Sequence, residues 1–241
     1  MSGRILLVDK PSGWTSFDVV AKIRSAVRAQ YAARGVRPTK RQLKVGHAGT
    51  LDPFATGLLV VLLGDACGRA GEFLKLDKVY EATFELGKTS TTGDPEGEIN
   101  SVNDRKPARN EVIAVLQQCT GEIHQTPPVY SAIKINGQRA YHLARQGKEV
   151  AMPSRAVTIY QLDMVKYDYP FITLRVHVSS GTYIRALAED MGQALGTGAY
   201  CRELRRLSVG SYDLGAARTV EELLRTQPLY IDHSDDDQQL Y

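Results

Sequence analysis

Residues 46–57 read Gly-His-Ala-Gly-Thr-Leu-Asp-Pro-Phe-Ala-Thr-Gly and place an aspartate and a histidine among three glycines. The glycines permit left-handed backbone angles or a close approach to a ligand. Pro53 disfavours a helical backbone at Asp52 and has no N–H donor of its own. The pattern predicts a stiff loop that presents the Asp52 carboxylate as a reactive acid beside His47. The alternative is a glycine-rich turn that Asp52 caps locally.

Four other segments combine basic, aromatic and polar residues in short runs. They are Lys10-Pro11-Ser12-Gly13-Trp14-Thr15-Ser16; Pro127-Pro128-Val129-Tyr130-Ser131-Ala132-Ile133-Lys134, which continues to Tyr141-His142-Leu143-Ala144-Arg145-Gln146-Gly147; Ser180-Gly181-Thr182-Tyr183-Ile184-Arg185; and Leu204-Arg205-Arg206-Leu207. Each run alone is weak evidence, because a tyrosine is often a core aromatic with a satisfied hydroxyl. Arg185 alone could be a structural ion-pair partner, and His47 could satisfy loop carbonyls.

The elements that must position these segments alternate irregularly between strands and helices. Residues 79–86 are rich in strand formers, and residues 172–178 alternate apolar and other residues, as in an antiparallel strand. The apolar run 58–63 fits a buried strand or a short core helix. Helices are predicted to be capped by Ser16 and by Asn110, and a third to end at Gly196. The pattern indicates a single mixed α/β (α+β) body with a large, mostly antiparallel sheet and flanking helices.

The charge of the chain is unevenly distributed, although its formal net value is only +3 over 241 residues. No acidic residue lies between Val19 and Leu51, a stretch that holds eight lysines and arginines. The chain ends with an acidic cluster: Asp232, Asp235, Asp236 and Asp237. A basic stretch of this kind can neutralise phosphates, which favours a nucleic-acid partner, although a solvated helix face and loop would look the same.

In combination, the loop and the four segments resemble the TruB-type tRNA pseudouridine-55 synthases, in the right order from about residue 4 to about residue 226. The loop pattern G-H-x-G-T-L-D-P-x-A-T-G is highly specific when it occurs with P-P-x-Y-S-A and G-T-Y-I-R. The resemblance implies the pseudouridine synthase fold and an isomerase that acts on one uridine in the T arm of tRNA. It implies no cofactor and no metal, because substrate and product contain the same atoms.

The resemblance assigns catalytic roles to three residues. Asp52 matches the essential aspartate, whose ionised carboxylate could add to C6 of the base, attack C1′ of the ribose or assist elimination to a glycal. Arg185 matches an arginine that contacts this carboxylate and would lower its pKa. Tyr80 matches a tyrosine that stacks on the target base.

It also assigns substrate-binding roles. The target uridine must be flipped out of a folded loop. The matched positions are His47, which would fill the vacated space, Tyr183 and Leu204 in the base pocket, and Lys134 and Arg145 in the RNA-gripping segment 120–153. Cations and aromatic residues suit phosphate contact and base stacking in that segment.

The resemblance also bears on domains and partners. It predicts a catalytic domain over residues 1–218, and a short C-terminal helix and acidic tail over 219–241 in place of the PUA-type domain of many bacterial members. The segment 25–43, between the first helix and the Asp52 loop, is longer and more basic than the corresponding segment of the family pattern. It could supply additional phosphate contacts. We expect a monomer that acts on the tRNA T stem-loop, with no obligate protein partner.

Four apolar residues at the amino terminus are too few for a secretory signal, and no apolar run spans a membrane, which favours a cytoplasmic protein.

Two rival hypotheses remain at the level of sequence. An RNA-binding or RNA-folding protein would need the basic residues but not Asp52 and Arg185 together. A dyskerin-type enzyme would share the chemistry but act on guide-selected RNA within a protein complex, and the predicted absence of a PUA domain counts against it.

Overall fold

A computed structural model describes residues 3–131, 134–135, 138–140, 151–226 and 228–229. The chain divides into two compact units, Met1–Lys78 with Arg205–Tyr241, and Val79–Leu204. The fold is mixed α/β with a large, mostly antiparallel sheet, as the sequence predicts. Arg145 and the acidic tail residues lie outside the described residues.

The first unit is built on strands that flank a central apolar strand. Its elements are β1 (Gly3–Lys10), α1 (Ser16–Ala33), β2 (Val45–Ala48), β3 (Thr56–Gly64), a 3₁₀ helix (Asp65–Arg69), α2 (Ala70–Leu74), the end of β12 (Ala199–Val209), β13 (Tyr212–Asp213), a second 3₁₀ helix (Leu214–Ala216), β14 (Arg218–Thr219) and α5 (Val220–Thr226). The strand order is β14-β1-β3-β12. β1 runs antiparallel to β3 over its full length, from Gly3 opposite Gly64 to Lys10 opposite Gly57.

β3 resolves the ambiguity of the apolar run 58–63, which is a strand. Leu58, Val60 and Leu62 pack into a cluster with Ala48 and Phe73, among others, and the alternate residues of the strand are equally buried. A strand that is covered on both faces has no reason to alternate apolar and polar residues, which is why its sequence could not be distinguished from a core helix.

The second unit carries the long antiparallel pairings. Its elements are β4 (Lys78–Leu86), β5 (Lys88–Ser90), β6 (Ile99–Ser101), α3 (Arg109–Gln118), β7 (Gly121–Gln125), β8 (Lys134–Ile135), β9 (Gln138–Arg139), β10 (Arg155–Asp168), β11 (Phe171–Val178), α4 (Ile184–Ala194) and the start of β12. β10 pairs antiparallel with both β11 and β7, and β4 follows β11 in the strand order. The predicted strands at 79–86 and 172–178 are confirmed.

Two predicted helix caps are wrong. The N-cap of α1 is Thr15 rather than Ser16: Thr15 accepts a bond from the Asp18 N–H at 3.0 Å, and the Asp18 carboxylate accepts one from the Thr15 N–H at 2.8 Å. This reciprocal pair leaves the Ser16 hydroxyl available for a bond outside the helix. α3 begins after Ala108, whose N–H donates to Glu111 at 2.7 Å, so that Asn110 lies inside the helix.

The predicted stop of the third helix is confirmed, since α4 ends at Ala194 and Gly196 takes a φ of +65°. No helix in the described part of the chain is long and apolar enough to cross a membrane.

Candidate active site

The Asp52 loop, residues 49–55, connects the end of β2 to the start of β3 in the first unit. β2 pairs with the later part of β3, from Val45 opposite Leu63 to Ala48 opposite Val60. The loop then leads into β3 at Thr56, where the same edge of β3 pairs with β12. Leu51 and Ala55 are buried, and Asp52 between them is half-buried. The loop is therefore anchored at both ends and presents Asp52 partly to solvent.

Lys10 holds the loop from the side of β1. This lysine has no exposed surface, and its ammonium donates to the carbonyl oxygens of Trp14 at 2.6 Å, Pro11 at 2.9 Å and Pro53 at 3.2 Å. The Pro53 carbonyl also accepts a bond from the Gly13 N–H at 2.9 Å. A buried cation surrounded by carbonyl dipoles thus ties the turn after β1 to the residue that follows Asp52.

Ser16 holds the loop at the residue before Asp52. Its hydroxyl donates to the Leu51 carbonyl at 3.0 Å and accepts from the Leu51 N–H at 2.9 Å. Both backbone groups of one buried residue are satisfied by one side chain. The two residues that flank Asp52 are therefore fixed independently, one by Ser16 and one by Lys10.

Arg206 supports the loop from β12. It is 1% exposed, and its guanidinium donates from Nε to the Leu58 carbonyl at 2.7 Å and from Nη2 to the Gly49 carbonyl at 3.0 Å. Gly57 lies against the same arginine: its φ is +99°, and a Cβ there would lie 2.3 Å from the Arg206 carbonyl oxygen. Glycine is required at this position both by conformation and by space.

His47, which the sequence predicts to lie beside Asp52, is in β2 opposite Val61 and is half-buried. The first unit therefore carries both His47 and Asp52, together with a rigid support for the Asp52 loop.

Arg185 forms a second centre, in the other unit. It lies in the first turn of α4 and is 3% exposed. Its Nη1 lies 3.1 Å from the Asp94 carboxylate and donates to the Thr92 carbonyl at 2.7 Å, while Nη2 donates to the Tyr130 carbonyl at 2.8 Å. Charge-assisted bonds on both nitrogens fix the plane of the guanidinium. The predicted contact of Arg185 with Asp52 stays a prediction.

Asp94 is positioned by the turn that carries it. Its Oδ1 accepts bonds from the Thr92 hydroxyl at 2.5 Å and from the Glu96 N–H at 3.0 Å, which leaves Oδ2 for Arg185. The preceding residue, Gly93, has a φ of +73°, and a Cβ there would lie 2.5 Å from a carboxylate oxygen of Glu189.

Burial raises the pKa of the Glu189 carboxyl, and the neighbouring Asp190 raises it further, whereas the Arg185 guanidinium opposes this. The carboxylate that contacts Arg185 is Asp94, whereas the surroundings of Glu189 disfavour its charged form.

Tyr183 is oriented by Gln125. The Tyr183 N–H donates to the Gln125 side-chain oxygen at 2.8 Å, and the Gln125 amide nitrogen donates to the Tyr183 carbonyl at 3.0 Å. The guanidinium carbon of Arg155 lies 5.2 Å from the centre of the Tyr183 ring, within the range of a cation–π interaction. The Gln125 side chain thus fixes the backbone of Tyr183 at the start of α4, and the Arg155 cation contacts its half-buried ring.

The remaining predicted site residues fall in the second unit or outside the described residues. Tyr80 in β4 and Leu204 in β12 are buried. Lys134 begins the two-residue strand β8, and only its backbone belongs to the described part; Arg145 lies outside it.

Comparison with known proteins identifies the family. The TruB family pseudouridylate synthase (N terminal domain) model matches residues 37–184, and the tRNA pseudouridylate synthase B C-terminal domain model matches residues 185–241. This chain belongs to the TruB family. The resemblance inferred from the motifs is confirmed.

Individual TruB relatives are similar over most of the chain. A tRNA pseudouridine synthase B of Parabacteroides distasonis is 43% identical over 224 residues, which covers 92% of each chain. The protein of the same name from Dechloromonas aromatica is 45% identical over 219 residues, 91% of this chain and 69% of that one. A solved Cbf5-Nop10-Gar1 complex contains a chain that is 28% identical, with a TM-score of 0.68 over 91% of this chain. The match covers 53% of the chain in that complex, so the TruB-family chain described here spans about half of its length.

Four supporting residues were not predicted as site residues: Lys10 and Arg206 at the Asp52 loop of the first unit, and Asp94 and Gln125 in the second unit. Lys10 and Arg206 lie within recognised motifs, but their role depends on carbonyl groups that are distant in sequence. Asp94 lies in a Gly-Asp-Pro turn that looks like an ordinary polar turn, and Gln125 ends a strand.

Proposed function

We propose that this TruB-family chain converts uridine 55 in the T arm of tRNA to pseudouridine, with Asp52 as the reactive acid. The N1–C1′ glycosidic bond breaks, the base turns, and a C5–C1′ bond forms. The hydrogen on C5 leaves as a proton, and N1 gains one. The observation that carries the proposal is the fixation of both residues that flank Asp52, by Ser16 and Lys10, in a chain of this family.

The fixed loop supports the role of Asp52 because a nucleophile or base must be held within a few tenths of an ångström of its target. Arg185 would keep the Asp52 carboxylate ionised through a charge-assisted contact. Asp94 and two carbonyl groups pre-orient that guanidinium, so Asp94 acts as a positioning residue. Tyr80 would stack on the flipped uracil.

The remaining residues would recognise the substrate. His47 would fill the space that the flipped base vacates, and Tyr183 and Leu204 would line the base pocket. Residues 120–153, with Lys134 and Arg145, would grip the T stem-loop. We further propose that residues 1–218 form the catalytic domain, that 219–241 add a helix and an acidic tail, and that the protein acts as a cytoplasmic monomer.

A tritium-release assay tests the proposal. A tRNA transcript carrying [5-³H]uridine loses one tritium to water for each isomerised uridine, because C5 exchanges its hydrogen for a bond to C1′. We expect one equivalent of tritium from the normal transcript and none from a matched transcript with cytidine at position 55. Release from the cytidine transcript, or no release from either, would overturn the proposed function.

A further inference from the structure

One flank of α1 carries an exposed aromatic residue and two arginines in a single stripe. Phe17, Ala21, Arg24 and Arg28 follow each other at intervals of four, three and four residues, which places them on one side of a helix. Phe17 is 63% exposed, an unusual state for a phenylalanine. The stripe borders β2, since Arg24 Nη2 donates to the Val45 carbonyl at 2.8 Å.

The stripe begins at the Asp52 loop. Phe17 follows Ser16, whose hydroxyl bonds both backbone groups of Leu51, the residue before Asp52. Arg28 lies eleven residues further along the helix, about 16 Å at 1.5 Å per residue. The stripe therefore leads directly away from the proposed reactive acid.

Further cations follow α1 in the segment that leads to β2. Lys44 immediately precedes β2, and its charge acts at the same place as that of Arg24: burial raises the pKa of the Cys67 thiol, and Lys44 and Arg24 oppose this. Arg37 and Lys40 lie in the exposed segment between α1 and β2. Within the described residues, none of Arg28, Arg37, Lys40 and Lys44 forms an ion pair with an aspartate or glutamate.

The segment between α1 and β2 is tied to the body of the first unit. Arg41 pairs with Asp65, the Thr39 hydroxyl accepts a bond from the Gln42 N–H at 3.2 Å, and the Gly64 N–H donates to the Lys44 carbonyl at 2.8 Å. The cations of this segment are thus held on an anchored backbone, which reduces the entropy lost when they bind a partner.

The opposite flank of α1 is different. It carries Asp18, Lys22, Ser25 and Ala29, so its charges balance. The C-terminal part of the described chain packs away from the stripe, where the Leu229 N–H donates to the Gln30 side chain at 2.5 Å. The basic aromatic stripe is therefore a property of one flank rather than of the helix as a whole.

We propose that the α1 stripe, together with Lys40 and Lys44, is an RNA-binding surface. Phe17 stacks on an unpaired base next to the target nucleotide, and the cations contact successive phosphates of the same RNA. Exposed aromatics with spaced cations suit base stacking and phosphate contact together. The proposal rests on the proposed function, because it takes tRNA as the RNA.

Equilibrium binding of full-length tRNA at several KCl concentrations tests this proposal. The triple variant Arg28→Ala/Lys40→Ala/Lys44→Ala should bind about tenfold or more weakly at 0.1 M salt and reduce the slope of log Kd against log [KCl] by about two. Phe17→Ala should weaken binding about tenfold with an unchanged slope, because stacking releases no counterions.

Lys22→Ala is the matched control on the opposite flank and should bind like the wild type. Arg28→Lys/Lys44→Arg should keep the wild-type slope, because it keeps the charge. An unchanged slope in a triple variant with a wild-type unfolding midpoint, or an equal loss in Lys22→Ala, would overturn the proposal. Tritium release by the wild-type protein is read separately, so a failure of the proposed function is recognised independently of these binding constants.

Discussion

The Asp52 loop and the Arg185 centre are held by different means. Around the loop, the buried cations Lys10 and Arg206 donate to backbone carbonyl oxygens. In the Arg185 centre, a buried carboxylate, Asp94, joins two carbonyls on one guanidinium. The first arrangement fixes a backbone path, and the second fixes the orientation of a side chain. We therefore expect losses around the loop to reduce stability most, and losses around Arg185 to reduce turnover most.

Among the supporting residues, the largest expected effect is on the stability of the fold, from Arg206→Met. Removal of the guanidinium leaves the Leu58 and Gly49 carbonyls without their buried donor, which should lower the free energy of unfolding by about 3 kcal/mol. Urea denaturation measures this change.

The matched control is Arg205→Met, on the neighbouring residue of β12. Arg205 pairs with Asp9 at 2.7 Å, but its side chain is 41% exposed, so its loss should change stability by less than about 1 kcal/mol. Equal losses in the two variants would contradict the distinction between a buried support and a surface pair.

The next effect is on turnover, from Asp94→Asn. The variant keeps the shape of the turn but weakens the hold on Arg185, and we expect a single-turnover rate about 100-fold lower. The tRNA dissociation constant should stay within about twofold, which distinguishes positioning from binding.

Glu98→Gln changes an exposed acid of the same turn and should react at the wild-type rate. A normal rate in Asp94→Asn, or equal losses in both variants, would show that Asp94 does not position Arg185.

A smaller effect is expected from Lys10→Met. Three carbonyls lose a donor, but the variant no longer needs to bury a charge, so the loss of stability should be about 2 kcal/mol. Turnover at low temperature should fall less than tenfold, because the two bonds between Ser16 and Leu51 still hold the other flank of Asp52. Thermal unfolding and tritium release on the same samples check both statements, with Lys22→Met as an exposed control. If the loss of turnover, expressed as a free energy, exceeded the loss in the free energy of unfolding, the comparison between the two regions would be reversed.

The smallest effect is a pH dependence at Glu85 in β4, whose described partners are Lys88, Tyr200 and Arg202. Burial alone would raise the pKa of this carboxyl, but bonds from Lys88, Tyr200 and Arg202 outweigh it, and the pKa lies below its ordinary value of 4.5. A carboxyl with a lowered folded-state pKa stabilises the fold above its unfolded pKa, and this stabilisation is lost as the pH falls through the folded value.

Glu85→Gln should therefore reduce the free energy of unfolding by about 1 kcal/mol at pH 7, and the difference should shrink below about pH 4.5. Urea denaturation at a series of pH values measures it. A difference that stayed constant down to pH 3 would mean that the charge of Glu85 is not what stabilises this region.

Local sequence predicted the elements but not the long-range supports. The alternation in residues 172–178 and the glycine after α4 gave correct elements because both signals act within a few residues. Thr15 and Ser16 both can cap a helix, and only the acidic residue at Asp18 distinguishes the reciprocal cap on Thr15. Asp94 and Arg185 lie 91 positions apart, and no period or spacing connects a turn with the first turn of a distant helix.

The central claim, that Asp52 is the reactive acid on a pre-formed loop, is tested most directly by Asp52→Asn. A T-arm stem-loop is used both for binding and for single-turnover tritium release. We predict a dissociation constant within about threefold of the wild type and a rate at least about 10⁴-fold lower, since the amide neither attacks nor accepts a proton. Conversion of uridine at the normal rate by the Asp52→Asn protein would contradict the account.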